Sequence, residues 1–193
     1  MKLTSSFFNE KDSVLLAQDL LGKAFTKITP EGIISGIINE TEAYREDDEA
    51  SHSYGGKKTK RNEVMFKEAG YLYVYFTYGM YNCMNIVSEK EGYGGAVLIR
   101  SVIPYKGIEL MISNREKFKG KKVNNIKKLS NGPAKVCIAY DIDKKDNGIN
   151  LLDNNSPIFI EDIGYKLPKV NISKRIGISK GVDKTRRFYF GLK

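Results

Sequence analysis

The run YLYVYFTYGMYNCMN, residues 71–85, constrains the fold more than any other stretch. Tyr71, Tyr73 and Tyr75 alternate with Leu72, Val74 and Phe76. A period of two marks a strand whose two faces meet different surroundings. Tyr78-Gly79-Met80 reads as a turn, because glycine reaches the backbone conformations that close a hairpin. The chain thus carries a hairpin with an aromatic tip, and an isolated hairpin needs a larger sheet to receive it. The aliphatic face is the obvious core. The tyrosine face has two readings: a second packed layer with bonded hydroxyls, or a wall against which something flat stacks.

Other segments supply the rest of that sheet. Residues 9–22 read as a helix with Asn9 as a cap, Asp12 in its first turn and Gly22 at its end. KAFTKI, the turn TPEG (29–32) and IISGIINETEAY (33–44) read as a hairpin with a long second strand. GAVLIRSVIP (95–104) reads as a buried strand, residues 106–118 as a helix, 119–131 as a basic loop, and GPAKVCIAYDI as a helix with Pro133 near its start. PIFIED, RIGI and RRFYF are short strand candidates in the tail. The sum is an α+β fold: one mixed domain over residues 1–193, with a central antiparallel sheet, flanking helices and a protruding hairpin.

Charge adds a functional hint. The net charge is +9, but residues 1–98 carry −3 and residues 99–193 carry +12. A basic half beside a mildly acidic one suits a polyanion-binding face next to a site that uses carboxylates. A merely solubilising lysine surface is the alternative. No apolar run is long enough to span a membrane, and the start lacks the apolar stretch of a signal peptide. Cys83 and Cys137 form no CxxC, so a reducing, cytoplasmic setting is expected.

Three stretches carry candidate chemistry. In INETEAY (38–44), strand alternation sets Ile38, Glu40, Glu42 and Tyr44 on one face and Asn39, Thr41 and Ala43 on the other. Paired carboxylates beside an aromatic suit a general base, since burial and a like-charged neighbour both tune the pKa; a strand emerging into solvent would look the same. The polar stretch 45–62 is long for a loop and holds the lone His52. With no cysteine pair beside it, zinc ligation is not expected. Its end, GGKKTKRN, offers Lys57, Lys58, Lys60 and Arg61 to phosphates, without P-loop spacing. Glu46, Asp47, Asp48 and Glu49 could hold magnesium, or form a solvated acidic turn.

Taken in order, LAQDLLGK, ETEAY, ASHSYGGKKTKRN, YLYVYFTYGMYNCMN, AVLIRS, NGPAK, RIGI and RRFYF resemble the alkyladenine (3-methyladenine) DNA glycosylases of the eukaryotic type, over roughly residues 8–190. The resemblance implies excision of alkylated or deaminated purines from double-stranded DNA after base flipping, by a monomer, without metal or other cofactor. It implies Glu42 as general base and Arg100 as its partner in holding the water. Tyr44 and Tyr75 would sandwich the flipped base, His52 would close another side with Tyr73 supporting it, and Asn85 would form the floor. Tyr78 would fill the gap left in the duplex, with Met80, Thr59, Arg61 and Lys135 contacting DNA. No lysine aligns with a Schiff-base role, which implies hydrolysis without strand cleavage. The loop REDDEAS between Tyr44 and His52 lacks the family's usual Gly-Pro and is one residue shorter.

Two other readings of the same residues predict different behaviour. A metal-dependent nuclease would use Glu40, Glu42 and the acids at 46–49. A non-catalytic nucleic-acid-binding protein would use its tyrosines only to stack.

Overall fold

The computed structural model describes residues 1–8 and 11–191. Eight strands form one antiparallel sheet: β1 (Ala24–Thr29), β2 (Gly32–Arg45), β3 (Leu72–Thr77), β4 (Tyr81–Val87), β5 (Gly95–Lys106), β6 (Ile158–Glu161), β7 (Asn171–Ser173) and β8 (Arg187–Tyr189). The main path runs β3-β4-β5-β2-β1-β6. The helices are α1 (Ser5–Phe8), α2 (Ser13–Asp19), α3 (Ile108–Lys119) and α4 (Pro133–Ala139). The α+β class and the antiparallel sheet follow the sequence expectation.

Strand β2 is the spine. It pairs with β5 along one edge, while the other edge takes β1 at residues 32–37 and then β8 at 40–42. Residues 34–43 are buried without interruption, so this strand is covered on both faces. The TPEG turn joins it to β1, with Thr29 opposite Gly32. Gly36 permits a close approach: a Cβ there would stand 2.8 Å from the Tyr140 hydroxyl and 2.9 Å from Val102. Gly107, at φ 66, turns β5 into α3; a Cβ there would lie 2.2 Å from the carbonyl oxygen of Ile33.

The simple face alternation expected for 38–44 breaks at Asn39. Ile38 faces Val102 and Glu40 faces Ser101, so Asn39 is extra on β2; Thr41 then faces Ile99, which makes Arg100 extra on β5. The two bulges cancel in register and re-aim the side chains between them. Ile38 joins the main core, whereas Glu40 and Glu42 turn to Arg100. On the other side, the Thr41 hydroxyl donates to the Ala17 carbonyl at 2.7 Å, which ties β2 to α2.

Helix α2 is shorter than the expected 9–22 span. Asp12 is its cap, accepting from the Leu15 N–H at 2.8 Å, a contribution of about 1 kcal/mol. Asn9 lies outside the described residues. Gly22 falls beyond the helix and donates its N–H to the Ile38 carbonyl. RIGI is not a strand; it belongs to the irregular segment between β7 and β8. Its backbone is drawn to side chains of the site rather than to a neighbouring strand.

The tyrosine strand packs on both faces. Leu72 and Val74 enter the main core, while Tyr73, 1% exposed, joins a second cluster with Val64, Met65, Phe66, Val87 and Ala96. Phe76, expected in the aliphatic core, is 53% exposed because the hairpin extends beyond its covering elements there. No helix among the described residues is long and apolar enough to cross a membrane.

Candidate active site

Strand register builds the site. Tyr73 faces Asn85, Asn85 faces Leu98, Leu98 faces Glu42, and Glu42 faces Arg187, so one row crosses β3, β4, β5, β2 and β8. Residues directly opposite one another in antiparallel strands are neighbours on the same face. Above this row lies an open cavity of about 480 Å³, of the size that takes small ligands. Tyr44, His52, Tyr73, Tyr75, Asn85 and Arg100 line it, with Arg61 and Tyr78 also on its wall.

Glu42 stands behind that wall, with no exposed surface. One oxygen, Oε2, accepts from the Tyr44 hydroxyl at 2.8 Å and from Arg100 Nη1 at 3.4 Å; the other accepts the Ile176 N–H at 2.8 Å. Burial raises its pKa above the ordinary carboxylate range, against the lowering effects of Arg100, the Ile176 N–H and Tyr44. A carboxylate has about four acceptor positions, so these three bonds leave Oε1 room for one more donor.

Glu40 has a different task. Arg100 Nε reaches its Oε1 at 3.0 Å and Arg187 Nε at 2.6 Å, so Glu40 orients Arg100 from behind. The Tyr73 hydroxyl lies 2.9 Å from His52 Nδ1, and the His52 ring meets Tyr75 edge-on at 4.6 Å between centroids. Enclosure, then the charge of Arg61, pushes the His52 pKa below its usual value, so the ring is neutral at pH 7. Burial pushes Tyr73 up to about 12. Asn85, 4% exposed, donates Nδ2 to the Tyr73 carbonyl at 3.2 Å.

Of the remaining expected contacts, Tyr78 and Arg61 are on the cavity wall, whereas Met80, Thr59 and Lys135 are not. Tyr78 is 82% exposed at φ 51, followed by Gly79 at φ 67, so the hairpin tip presents its ring outward from a left-handed backbone. Met80 is 55% exposed beside it. The guanidinium of Arg61 lies 5.7 Å from the Tyr75 ring. Thr59 is occupied in a local turn, with its N–H and hydroxyl both donating to Asn62 Oδ1. Lys135 lies outside the cavity wall on α4, donating to Asn131 Oδ1.

Sequence reasoning missed the strap that closes the site. Asp48 and Arg175 are both without exposed side-chain surface and are bonded at 2.5 Å and 3.0 Å. Arg186 adds a bond to Asp48 at 3.0 Å. Arg175 also donates to the Ala43 carbonyl at 2.9 Å and lies 4.7 Å from the Tyr44 ring centre. These bonds deliver the next residue, Ile176, to Glu42, and residues 176–180 form one side of the cavity. A signal was present: only seven of the 32 basic residues are arginine. In a lysine-biased chain, arginine marks places where a planar fork or a buried cation is required.

The acids at 46–49 do not converge. Asp48 is committed to the strap, and Glu46 accepts the Gly94 N–H at 2.9 Å. Among the described residues, no group of three or more His, Cys, Asp or Glu side chains is arranged to hold a metal ion.

A buried carboxylate held behind an aromatic cavity suits general-base chemistry on a flat ligand. The chain belongs to the methylpurine-DNA glycosylase family, whose model matches residues 6–192. It is accordingly a DNA glycosylase, a hydrolase of N-glycosyl bonds that acts in DNA repair. It is similar, at 42% identity over 98% of this chain and 95% of the relative, to a Clostridium perfringens (strain 13 / Type A) protein named "Putative 3-methyladenine DNA glycosylase". A Francisella tularensis subsp. tularensis (strain FSC 198) protein with the same name is 45% identical over 90% of this chain and 87% of its own length. One from Clostridium novyi (strain NT) is 42% identical over 98% and 95%.

Proposed function

We propose that this chain, as a single glycosylase domain, flips an alkylated or deaminated purine out of duplex DNA and hydrolyses its N-glycosidic bond with a water activated by Glu42. The observation that carries this reading is the Glu42 carboxylate, fully buried and held by Arg100, Tyr44 and the Ile176 N–H behind an aromatic cavity. Burial gives such a base the raised pKa that proton abstraction needs.

In this mechanism Glu42 accepts a proton as the water oxygen bonds to C1′. The C1′–N bond breaks and its electron pair leaves with the base. Until it takes that proton, the ionised carboxylate also stabilises the positive charge that develops on the sugar as the base departs, while Glu40 keeps Arg100 from cancelling that effect. A cationic base such as 3-methyladenine departs as a neutral molecule. Neutral hypoxanthine or ethenoadenine must gain a proton as it leaves. Tyr44, Tyr75 and His52 supply flat or edge-on ring surfaces to an extruded purine, Asn85 lies between them on the sheet, and Tyr78 is free to occupy the emptied place in the stack.

Lys180 is the lysine on the cavity wall, and it is exposed. It lacks the burial that makes an amine nucleophilic, which favours hydrolysis over Schiff-base chemistry. Action as a monomer is part of the proposal, and the free, buried Cys83 and Cys137 suit a reducing cytoplasm. The test is release of 3-methyladenine or hypoxanthine from duplex DNA with EDTA present. Base release without strand scission, and without a borohydride-trapped complex, is expected. No release by the wild type, or unchanged release by Glu42→Gln, overturns the proposal.

A further inference from the structure

Glu42 takes three donors, and the two neutral ones both trace back to Arg175. Arg175 lies behind the cavity wall, and its own bonds go to Ala43, Asp48 and Gly181. The residue after it, Ile176, donates its N–H to Glu42 Oε1 at 2.8 Å. Its guanidinium carbon sits 4.7 Å over the ring of Tyr44, whose hydroxyl donates to Oε2 at 2.8 Å. One buried cation thus stands behind a donor on each oxygen of the carboxylate.

The guanidinium spreads over three anchors. Nη1 donates to the Ala43 carbonyl at 2.9 Å and pairs with Asp48 Oδ2; Nη2 donates to Asp48 Oδ1 at 3.0 Å and to the Gly181 carbonyl at 3.2 Å. Ala43 lies between Glu42 and Tyr44 in β2, so the first anchor fixes the strand that carries both. Gly181 follows the cavity-lining residues 176–180, so the same side chain holds both ends of that strap. Gly181 has φ 56, and a Cβ there would stand 2.7 Å from Asp48 Oδ1, so this closure requires glycine. A lysine ammonium carries its donors on one nitrogen and cannot span acceptors that the planar fork reaches separately.

Stability alone does not account for the arrangement. Well-packed apolar side chains often replace a buried ion pair without loss. Arg175 Nε is also buried without a hydrogen-bond partner among the described residues, a cost that apolar packing would avoid. What the fork provides is fixed geometry at Ile176 and Tyr44.

We infer that Arg175 is a positioning residue for base excision: acting through Ile176 and Tyr44, it holds the two neutral donors on Glu42 without itself touching the substrate. The inference rests on the proposed role of Glu42 as general base.

Arg175→Lys and Gly181→Ala test it, since both keep a cation beside Asp48 while loosening the strap. A carboxylate that loses a donor ionises less readily. The acidic limb of single-turnover hypoxanthine release should therefore move to higher pH by about one pH unit, a roughly tenfold loss of rate on that limb. An arginine that only stabilised the fold would reduce the amount of folded protein and leave the limb in place. A second readout needs no turnover. In protein labelled with ¹³C-glutamate, the Glu42 carboxyl resonance, identified by its loss in Glu42→Gln, should titrate at higher pH in both variants than in the wild type. Thermal denaturation shows which variants are folded over the pH range; if Arg175→Lys is not, Gly181→Ala decides, because it leaves Arg175 and Asp48 in the chain. A folded variant with an unmoved limb and an unmoved Glu42 midpoint overturns the inference. Absence of base release by the wild type would sink the proposed function, and the Glu42 titration would still decide whether Arg175 holds its donors.

Discussion

Glu42 and Asp48 are both carboxylates without exposed surface, six residues apart in the chain, and their environments push them in opposite directions. For Asp48, burial raises the pKa, but the bonds from Arg175 and the Ala50 N–H more than offset it, and the group lies below its ordinary value. For Glu42, burial dominates and the group lies above. The difference lies in the partners. Asp48 meets two arginines, one of them through both carboxylate oxygens. Glu42 must share its arginine with Glu40 and otherwise relies on neutral donors. One carboxylate is saturated and holds structure together. The other is left under-compensated and basic enough for chemistry.

The largest effect that sharpens this contrast comes from Glu42→Gln, which should lower single-turnover base release by on the order of 10²–10⁴-fold while the protein stays folded. Asp48→Asn should do the reverse in kind: a loss of about 3–5 kcal/mol in denaturant unfolding, because Arg175 and Arg186 lose their counter-charge. Equal stability of Asp48→Asn and the wild type would break the assignment of Asp48 to structure.

The pH dependence separates the two further. In the window between an ordinary carboxylate pKa and the raised value of Glu42, the folded chain binds more protons than the unfolded one, so stability falls as pH rises through it. The Asp48 contribution is present above the ordinary aspartate pKa and is lost as pH falls through its depressed folded value. Tyr44→Phe removes a donor to ionised Glu42, so the acidic limb of the pH–rate profile should move to higher pH, with a roughly tenfold loss of rate at neutral pH. An unmoved limb would show that the Tyr44 hydroxyl does not tune Glu42. The smallest effect is expected at the hairpin tip. Tyr78→Gly relieves a left-handed residue and should add about 1 kcal/mol of stability, while weakening duplex binding.

Much of the fold was legible because period-two patterns and turn residues act locally. The β1–β2 hairpin, β5, α3 and the β3–β4 hairpin with its tip at Tyr78 lie where alternation and glycine placed them. The cavity wall was legible only once several short motifs were taken together, since Tyr44, His52, Asn85 and Arg100 carry no shared local signal. What escaped was non-local. Asp48 looked like one acid in a solvated run, and its partner Arg175 lies 127 residues away. RIGI looked like a strand because its apolar residues alternate, yet its backbone is claimed by Glu42. The double bulge leaves no mark in composition, because it depends on how two distant strands are paired.

That paired bulge behaves like a reading frame. Asn39 and Arg100 are single-residue insertions of opposite effect, and the site row is in phase only downstream of both. Deleting Asn39 alone would shift the pairing by one and turn Glu42 to the opposite face of the sheet, away from Arg100. Deleting Asn39 and Arg100 together would restore the strand pairing but discard the cation. Glu42, the proposed general base, and Arg100 are therefore coupled as a frame and its suppressor, and substitutions can explore this site far more easily than insertions or deletions in either strand.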